Sequence, residues 1–388
     1  MVIKLDKLLG FLLFMYLVLK PFYLWSSGLP QISDFVMVLL LLTALFKVKL
    51  KREVLQQTKS VIILALFFLY YIVFVNMSWS FILSHGLFLN TVFYVYNIAV
   101  FIAMVIVISN NPPYFLRIIF HGTLISVFLQ FLLSFLASGG IRATVFFNNP
   151  NQLGFYALLM LSIAFVVLKS QEKPKNIVLF SFILAGFYLS FISLSKAAIV
   201  GCVLLIGLFT LYSKIRLWLK TLIFFMFASL GYGIYQAFYN PISLYGKFAL
   251  LDTFLYRVHK DDGSGLFDDR GYDRIANHPE YLVFGAGEGD YTRFDTFAPI
   301  ELHSTFGNIL FSYGIVGLTI FLVFLLVVIY KSKISLAYPL LPVFTYGLTH
   351  NGIRNSLLWI LFALLIVMGN SQRRLSEQTG VYSTNEVR

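Results

Sequence analysis

Charge is scarce in this 388-residue chain. Only 12% of its residues are Asp, Glu, Lys or Arg, while 59% are hydrophobic and mean hydropathy is +0.84. Soluble domains carry about 25% charged residues, so the sequence reads as a polytopic membrane protein. Cysteine occurs once, at Cys202 in an apolar run, which excludes an internal disulfide and argues against a cysteine-based metal site. No small-residue cleavage site follows the first apolar run, roughly residues 8–24, and Lys20-Pro21-Phe22-Tyr23 interrupts it. It reads as an uncleaved first helix, not a signal peptide. An internal repeat is also missing, which argues against an inverted-repeat transporter.

Hydrophobic runs are plentiful. They centre on residues 8–24, 32–46, 61–75, 87–108, 115–137, 152–168, 177–194, 197–212, 221–239, 304–330, 335–349 and 355–369. At about 20 residues per crossing this predicts an all-α transmembrane bundle of about twelve spans. The formal charge of +12 lies between those runs, not in one patch, so a nucleic-acid partner is not expected. Alternate connectors hold Lys47, Lys49, Lys51, Arg52 and Lys59, then Arg117, then Lys169, Lys173 and Lys175. Lys214, Arg216 and Lys220, then Lys331 and Lys333, and finally Arg373 and Arg374 follow. The opposite connectors, among them SSGLPQ and THNGIR, are nearly free of Lys and Arg outside one long loop. The charge bias therefore predicts both termini in the cytoplasm and that loop outside it.

The expected organisation is helices over 1–239, an extracytoplasmic loop with short helices over 240–302, further helices over 303–369, and a disordered cytoplasmic tail over 370–388. Within the loop acids outnumber bases, so it is no polyanion-binding patch. Four features on that side bear chemistry. Arg142 precedes Asn148-Asn149-Pro150-Asn151, a turn at a helix start near Gln152 that suits an anion or simply caps the helix. Ser195-Lys196 opens another helix, where a cation opposes the dipole and suggests an anionic partner or an interfacial anchor. Arg270 could clamp phosphate oxygens, or pair with Asp268, Asp269 or Asp273 at the surface. His303, followed by Ser304 and Asn308, is placed to exchange protons near neutral pH, or to cap a helix. The carboxylates Asp252, Asp261, Asp262 and Glu301 read as solvated loop charge with no spacing that demands a metal, and Asp34 as a cap. No charge is expected deep inside the spans.

In order, RATVFFNNPNQLGFYALL, SLSKAAIVG, the segment from Arg270 to FGAGEGDY and HSTFGNILFSYGIVGL resemble the bacterial O-antigen polymerase and O-antigen ligase family. In the last of these, His303 leads to Gly314 and Gly317-Leu318, and the likeness covers roughly residues 141–318. It implies a GT-C-like fold and a metal-independent, cofactor-free, inverting glycosyltransferase of the bacterial inner membrane. The implied substrates are undecaprenyl-diphosphate-linked glycans as donor and acceptor, among membrane lipids, with a chain-length regulator as a further partner. Carried over, His303 would be the general base and Arg270 would bind the diphosphate leaving group. Lys196, standing where the family usually has arginine, Arg142 and Asn151 would bind diphosphate or glycan. The polymerase is the expected activity. A ligase transferring glycan to lipid A-core is the alternative, and a non-enzymatic flippase or transporter of the same lipid is the rival from another class.

Overall fold

A computed structural model describes residues 2–48, 52–84, 86–136, 142–169, 176–213, 215–239, 252–253, 256, 270–294 and 301–383. Among them the architecture is all-helical. The elements are α1 (Val2–Leu19), α2 (Ile32–Lys47), α3 (Arg52–Leu83), α4 (Phe88–Asn110) and α5 (Pro112–Ser134). Then follow α6 (Pro150–Val167), α7 (Asn176–Ile192), α8 (Lys196–Tyr212), α9 (Leu217–Tyr239) and the short α10 (Asp273–Asn277). The chain closes with α11 (Thr305–Ser332), α12 (Ile334–Ala337), α13 (Leu340–Gly347) and α14 (Ser356–Ser383). Five of these, α3, α4, α5, α6 and α11, are long and apolar enough to cross a membrane, and five shorter apolar stretches accompany them.

A helix apolar all round belongs in the centre of a bundle. Two helices fit that description: α6 buries every residue from Leu153 to Val167, and α14 every residue from Leu357 to Met368. Around them, α6 packs on α5, α7 and α8, while α14 packs on α4, α6 and α11. Outward faces stay greasy, with Phe81, Phe46 and Leu136 almost fully exposed. A continuous apolar exterior of this kind suits lipid rather than water. At one end of the bundle Lys331 Nζ donates to the Gln57 carbonyl and Lys169 Nζ to the Tyr212 carbonyl. At the other, the loop end, Asn148 donates to the Trp25 carbonyl and Gln152 to Ser27 Oγ.

Several expectations are modified. The run over 335–349 is divided into α12 and α13, of 4 and 8 residues, because Pro339 cannot donate the backbone bond that would join them. The tail expected to be disordered is helical as far as Ser383, since extending an existing helix avoids the cost of nucleation; residues 384–388 lie outside the described residues. A buried ion pair forms where α1 ends and α2 begins: Lys20 pairs with Asp34 at 3.1 Å, and Tyr96 donates to the same carboxylate. Asp34 does cap α2, accepting from the Gln31 N–H at 2.9 Å.

The helix α11 is broken. Gly314 sits nine residues from its start, about 14 Å along the axis, with φ +65° and ψ −176°. Four backbone groups freed by the break are taken up by residues 282–287. Ala286 N–H donates to the Phe311 carbonyl and Gly287 N–H to that of Ser312, each at 2.9 Å. In return Ile315 N–H donates to the Leu282 carbonyl and Val316 N–H to that of Val283. Non-helical backbone at membrane depth persists only where protein satisfies it, and here the loop does so. Glycine is required on both sides of the contact. A Cβ at Gly314 would lie 2.1 Å from the Val283 oxygen, and one at Gly285 2.3 Å from the Ser312 oxygen.

Candidate functional site

Two polar clusters form at the loop end, one rimmed by cations and one built on a buried ion pair. The first begins at the start of α6. Asn149 caps that helix, its side chain accepting from Asn151 N–H at 2.8 Å, so α6 begins at Pro150, two residues before the expected start. Capping leaves the Asn151 side chain free to face Arg142, whose Nη2 donates to Asn151 Oδ1 at 2.6 Å. Arg142 Nε donates to the Ser193 carbonyl at 3.0 Å, in the turn that leads through Ser195 into α8. Lys196 is the first residue of that helix and is exposed. No hydrogen bond or ion pair joins it to the other predicted residues among those described.

From α6 the cluster continues across to α13. Tyr346 donates its hydroxyl to the Asn151 carbonyl at 3.2 Å and is sandwiched between Phe155 and His350. The two ring pairs lie 4.3 Å and 4.6 Å apart and within 9° and 17° of parallel. His350 Nδ1 lies 3.0 Å from Thr349 Oγ1. The Thr349 carbonyl accepts from the Arg270 guanidinium, and the Arg270 carbonyl accepts from His303 N–H at 3.0 Å. Arg142, Asn151, Arg270 and His303 thus meet in one assembly, separated in sequence by up to 161 residues (303 − 142). Among the described residues Arg270 bonds to that carbonyl and to no carboxylate. Asp268 and Asp269, considered as its partners, lie outside the described residues.

The electrostatics are those of a cationic rim with neutral imidazoles. Burial, then the charges of Arg270, His303 and Arg142, push the His350 pKa down to about 3. Burial and Arg270 also lower that of His303, although its ring is exposed and solvent screens part of the effect. Both histidines are neutral near pH 7, so each can accept or donate a hydrogen bond without first losing a proton. An anion entering here would meet fixed positive charge and would raise both pKa values.

The second cluster centres on Glu288, from the FGAGEG segment held in the α11 break. Its carboxylate is fully buried and accepts from Arg354 at 2.5 Å, from Asn308 at 2.7 Å and from Tyr313 at 2.7 Å. Asn76 accepts from Glu288 N–H and Asn90 donates to its carbonyl. Arg354 also pairs with Glu301 at 3.3 Å, and Asn351 donates to Glu301. Glu301 is therefore no solvated loop charge; burial raises its pKa, against the opposing pull of Arg354. Sequence reasoning missed Glu288, His350 and Arg354. The signal was the stretch HNGIR, with a histidine and an arginine four residues apart between two apolar runs.

The chain matches no protein-family model and no curated protein. Function must be argued from the site. A cavity of about 270 Å³, lined by Phe165, Lys169, Phe209 and Tyr212, lies at the basic end of the bundle, away from both clusters. The chemistry-bearing residues gather instead on the open rim at the loop end.

Proposed function

We propose that the chain is a membrane glycosyltransferase that polymerises undecaprenyl-diphosphate-linked oligosaccharide repeat units at the outer face of the bacterial inner membrane. The helices traverse the bilayer about twelve times in a GT-C-like arrangement, with the basic connectors on the cytoplasmic side. The observation that carries this reading is the convergence of Arg142, Asn151, Arg270 and His303 at the loop end. In the reaction a sugar hydroxyl on the acceptor attacks the anomeric carbon of the donor glycan. His303 takes the hydroxyl proton, a new C–O bond forms, and the bond to the diphosphate breaks with the electron pair leaving on oxygen. Arg270 neutralises the developing charge, an interaction stronger in the transition state than before it. Arg142 and Lys196 hold the donor anion, and attack opposite the leaving group inverts the anomeric centre.

The deciding experiment is surface-polysaccharide banding in a deletion strain complemented with the wild type, His303→Ala or Arg270→Ala at equal protein levels. A ladder reduced to core plus one repeat supports the polymerase; loss of every repeat on core points to the ligase. Full ladders from both variants would refute the site assignment. One observation favours a second reading, a non-enzymatic flippase. The buried Glu288–Arg354 pair beside a broken helix is the kind of feature lipid and ion transporters place on their pathway. A flippase would leave transfer between purified lipid-linked repeats undetectable.

A further inference from the structure

The cavity remote from the loop end takes no part in the proposed reaction. It lies where three helix ends meet. Phe165, Leu168 and Lys169 come from the close of α6, Leu179 from the first turn of α7, and Phe209, Tyr212 and Ser213 from the close of α8, with Ile215 beyond. Its volume is about 270 Å³, and its walls are mostly apolar. Phe165 and Phe209 stack there with ring centres 3.9 Å apart. Polar groups stand at the rim. Lys169 reaches from α6 across to α8, its Nζ donating to the Tyr212 carbonyl at 2.9 Å and lying 5.9 Å from the centre of the Tyr338 ring. Ser213 is only 9% exposed, and its hydroxyl makes no hydrogen bond among the described residues. A buried hydroxyl in a native protein normally has a partner.

The surroundings set the depth of this cavity. Ile177, Leu211 and Leu217 are largely exposed, as hydrocarbon-facing residues are, while the exposed rings of Tyr212 and Trp218 lie close in sequence to Arg216 and Lys220. Exposed aromatics among basic residues mark the level of lipid headgroups. As a cap on the C-terminal end of α8, Lys169 would be favourable by itself. A cap, however, needs no apolar chamber beneath it and leaves the Ser213 hydroxyl unanswered. We propose that the cavity binds one anionic phospholipid of the bilayer. Its phosphate meets the Lys169 ammonium and the Ser213 hydroxyl, and the first methylenes of a chain lie against Leu179 and the Phe165–Phe209 stack. The ammonium selects a charged headgroup, and the apolar walls disfavour a small hydrated anion. The bound lipid ties the ends of α6, α7 and α8 together and so stabilises the fold. This site stands whatever reaction the loop end performs.

The test is native mass spectrometry of the full chain in detergent, titrated with dioleoylphosphatidylglycerol. Dioleoylphosphatidylcholine supplies the same chains under a neutral headgroup, and inorganic phosphate supplies the charge without chains. Wild type should hold one phosphatidylglycerol about tenfold or more tighter than phosphatidylcholine, as a charge-assisted hydrogen bond predicts. Its melting temperature should rise with the anionic lipid and much less with the other. Lys169→Gln should erase the preference, whereas Lys59→Gln, which removes an exposed cation of α3 outside the cavity, should leave it intact. Ser213→Ala should weaken binding by about two- to tenfold, and Leu179→Trp, which fills the chamber, should lose the tight site for either lipid. An unchanged preference in both Lys169→Gln and Leu179→Trp would mean diffuse attraction to the basic surface and overturn the proposal. So would inorganic phosphate that competes with the lipid at equal concentration, since the chain would then contribute nothing. Should Leu179→Trp fail to fold, a phosphatidylglycerol bearing a diazirine on its chain decides the matter. It should label α6 and α8 around Phe165 and Phe209 in wild type and lose that labelling in Lys169→Gln; labelling confined to other helices refutes the site.

Discussion

At the scale of single residues, the site rests on side chains whose charge state is set by neighbours. In the proposed reaction His303 would be a base already deprotonated at neutral pH, since burial and Arg270 hold its pKa below the ordinary histidine value of about 6.5. The acid limb of kcat/KM, which reports the free enzyme, is accordingly expected below that value. The limb of kcat should sit higher, because the bound diphosphate offsets Arg270. Initial rates across a pH series check this, and two coincident limbs would contradict it. His303→Ala should lower the rate by about 10²- to 10⁴-fold, the usual share of a positioned base. Arg270→Lys should recover little of what Arg270→Ala loses, because an ammonium cannot grip two phosphate oxygens in one plane. Stability has a pH dependence of its own. The His350 pKa is about 3 when folded and about 6.5 when unfolded, so below pH 6.5 the unfolded chain binds the extra proton. Its contribution is complete above pH 6.5 and is lost as the pH falls toward 3. Melting temperature in detergent should drop on acidification through that window, and the drop should be smaller in His350→Gln.

Among the elements, α11 and the segment that fills its break decide whether the loop end exists. Gly314→Ala would drive a Cβ into the Val283 carbonyl at a positive φ, so folded yield in detergent should collapse. Gly207→Ala, with open space around its Cβ, should match or slightly exceed wild type, since alanine is favoured over glycine in a helix by about 1 kcal/mol. Breaking the buried pair by Glu288→Gln or Arg354→Met should each cost about 3–5 kcal/mol, and the double variant less than the sum. Additive losses in that cycle would mean the pair is not coupled. The apolar runs were legible because lipid imposes a length on them, and α3 to α6 appear where hydropathy places them. The break was not, because it depends on a partner segment some thirty residues upstream. The site was half legible. Arg142 and Asn151 fall nine residues apart beside a capping turn, and His303 and Arg270 stand out as polar residues at a helix mouth and in a loop. His350 and Arg354 were passed over because a six-residue connector reads as a simple turn until α13 is seen to deliver it beside α6 and α11.

For the molecule as a whole, two central helices, an apolar exterior and opposite polar ends define a membrane-embedded bundle. Reporter fusions in the basic connectors should report the cytoplasm and fusions after Phe284 the far side; the reverse pattern would invert the orientation argued from charge. The broken helix has a consequence for how the chain is made. Half-formed, α11 enters lipid with two N–H and two carbonyl groups unanswered, a state hydrocarbon penalises by several kcal/mol per group. The segment that answers them, residues 282–287, precedes α11 and leaves the ribosome first. It also anchors to helices made earlier still: the Tyr71 hydroxyl and the Trp79 ring N–H of α3 reach the carbonyls of Phe284 and Gly285. Synthesis therefore lays down the docking strip before the helix that needs it. Reversing that order, as in a permuted chain that begins at α11, would ask the membrane to accept a helix with a hole in its backbone.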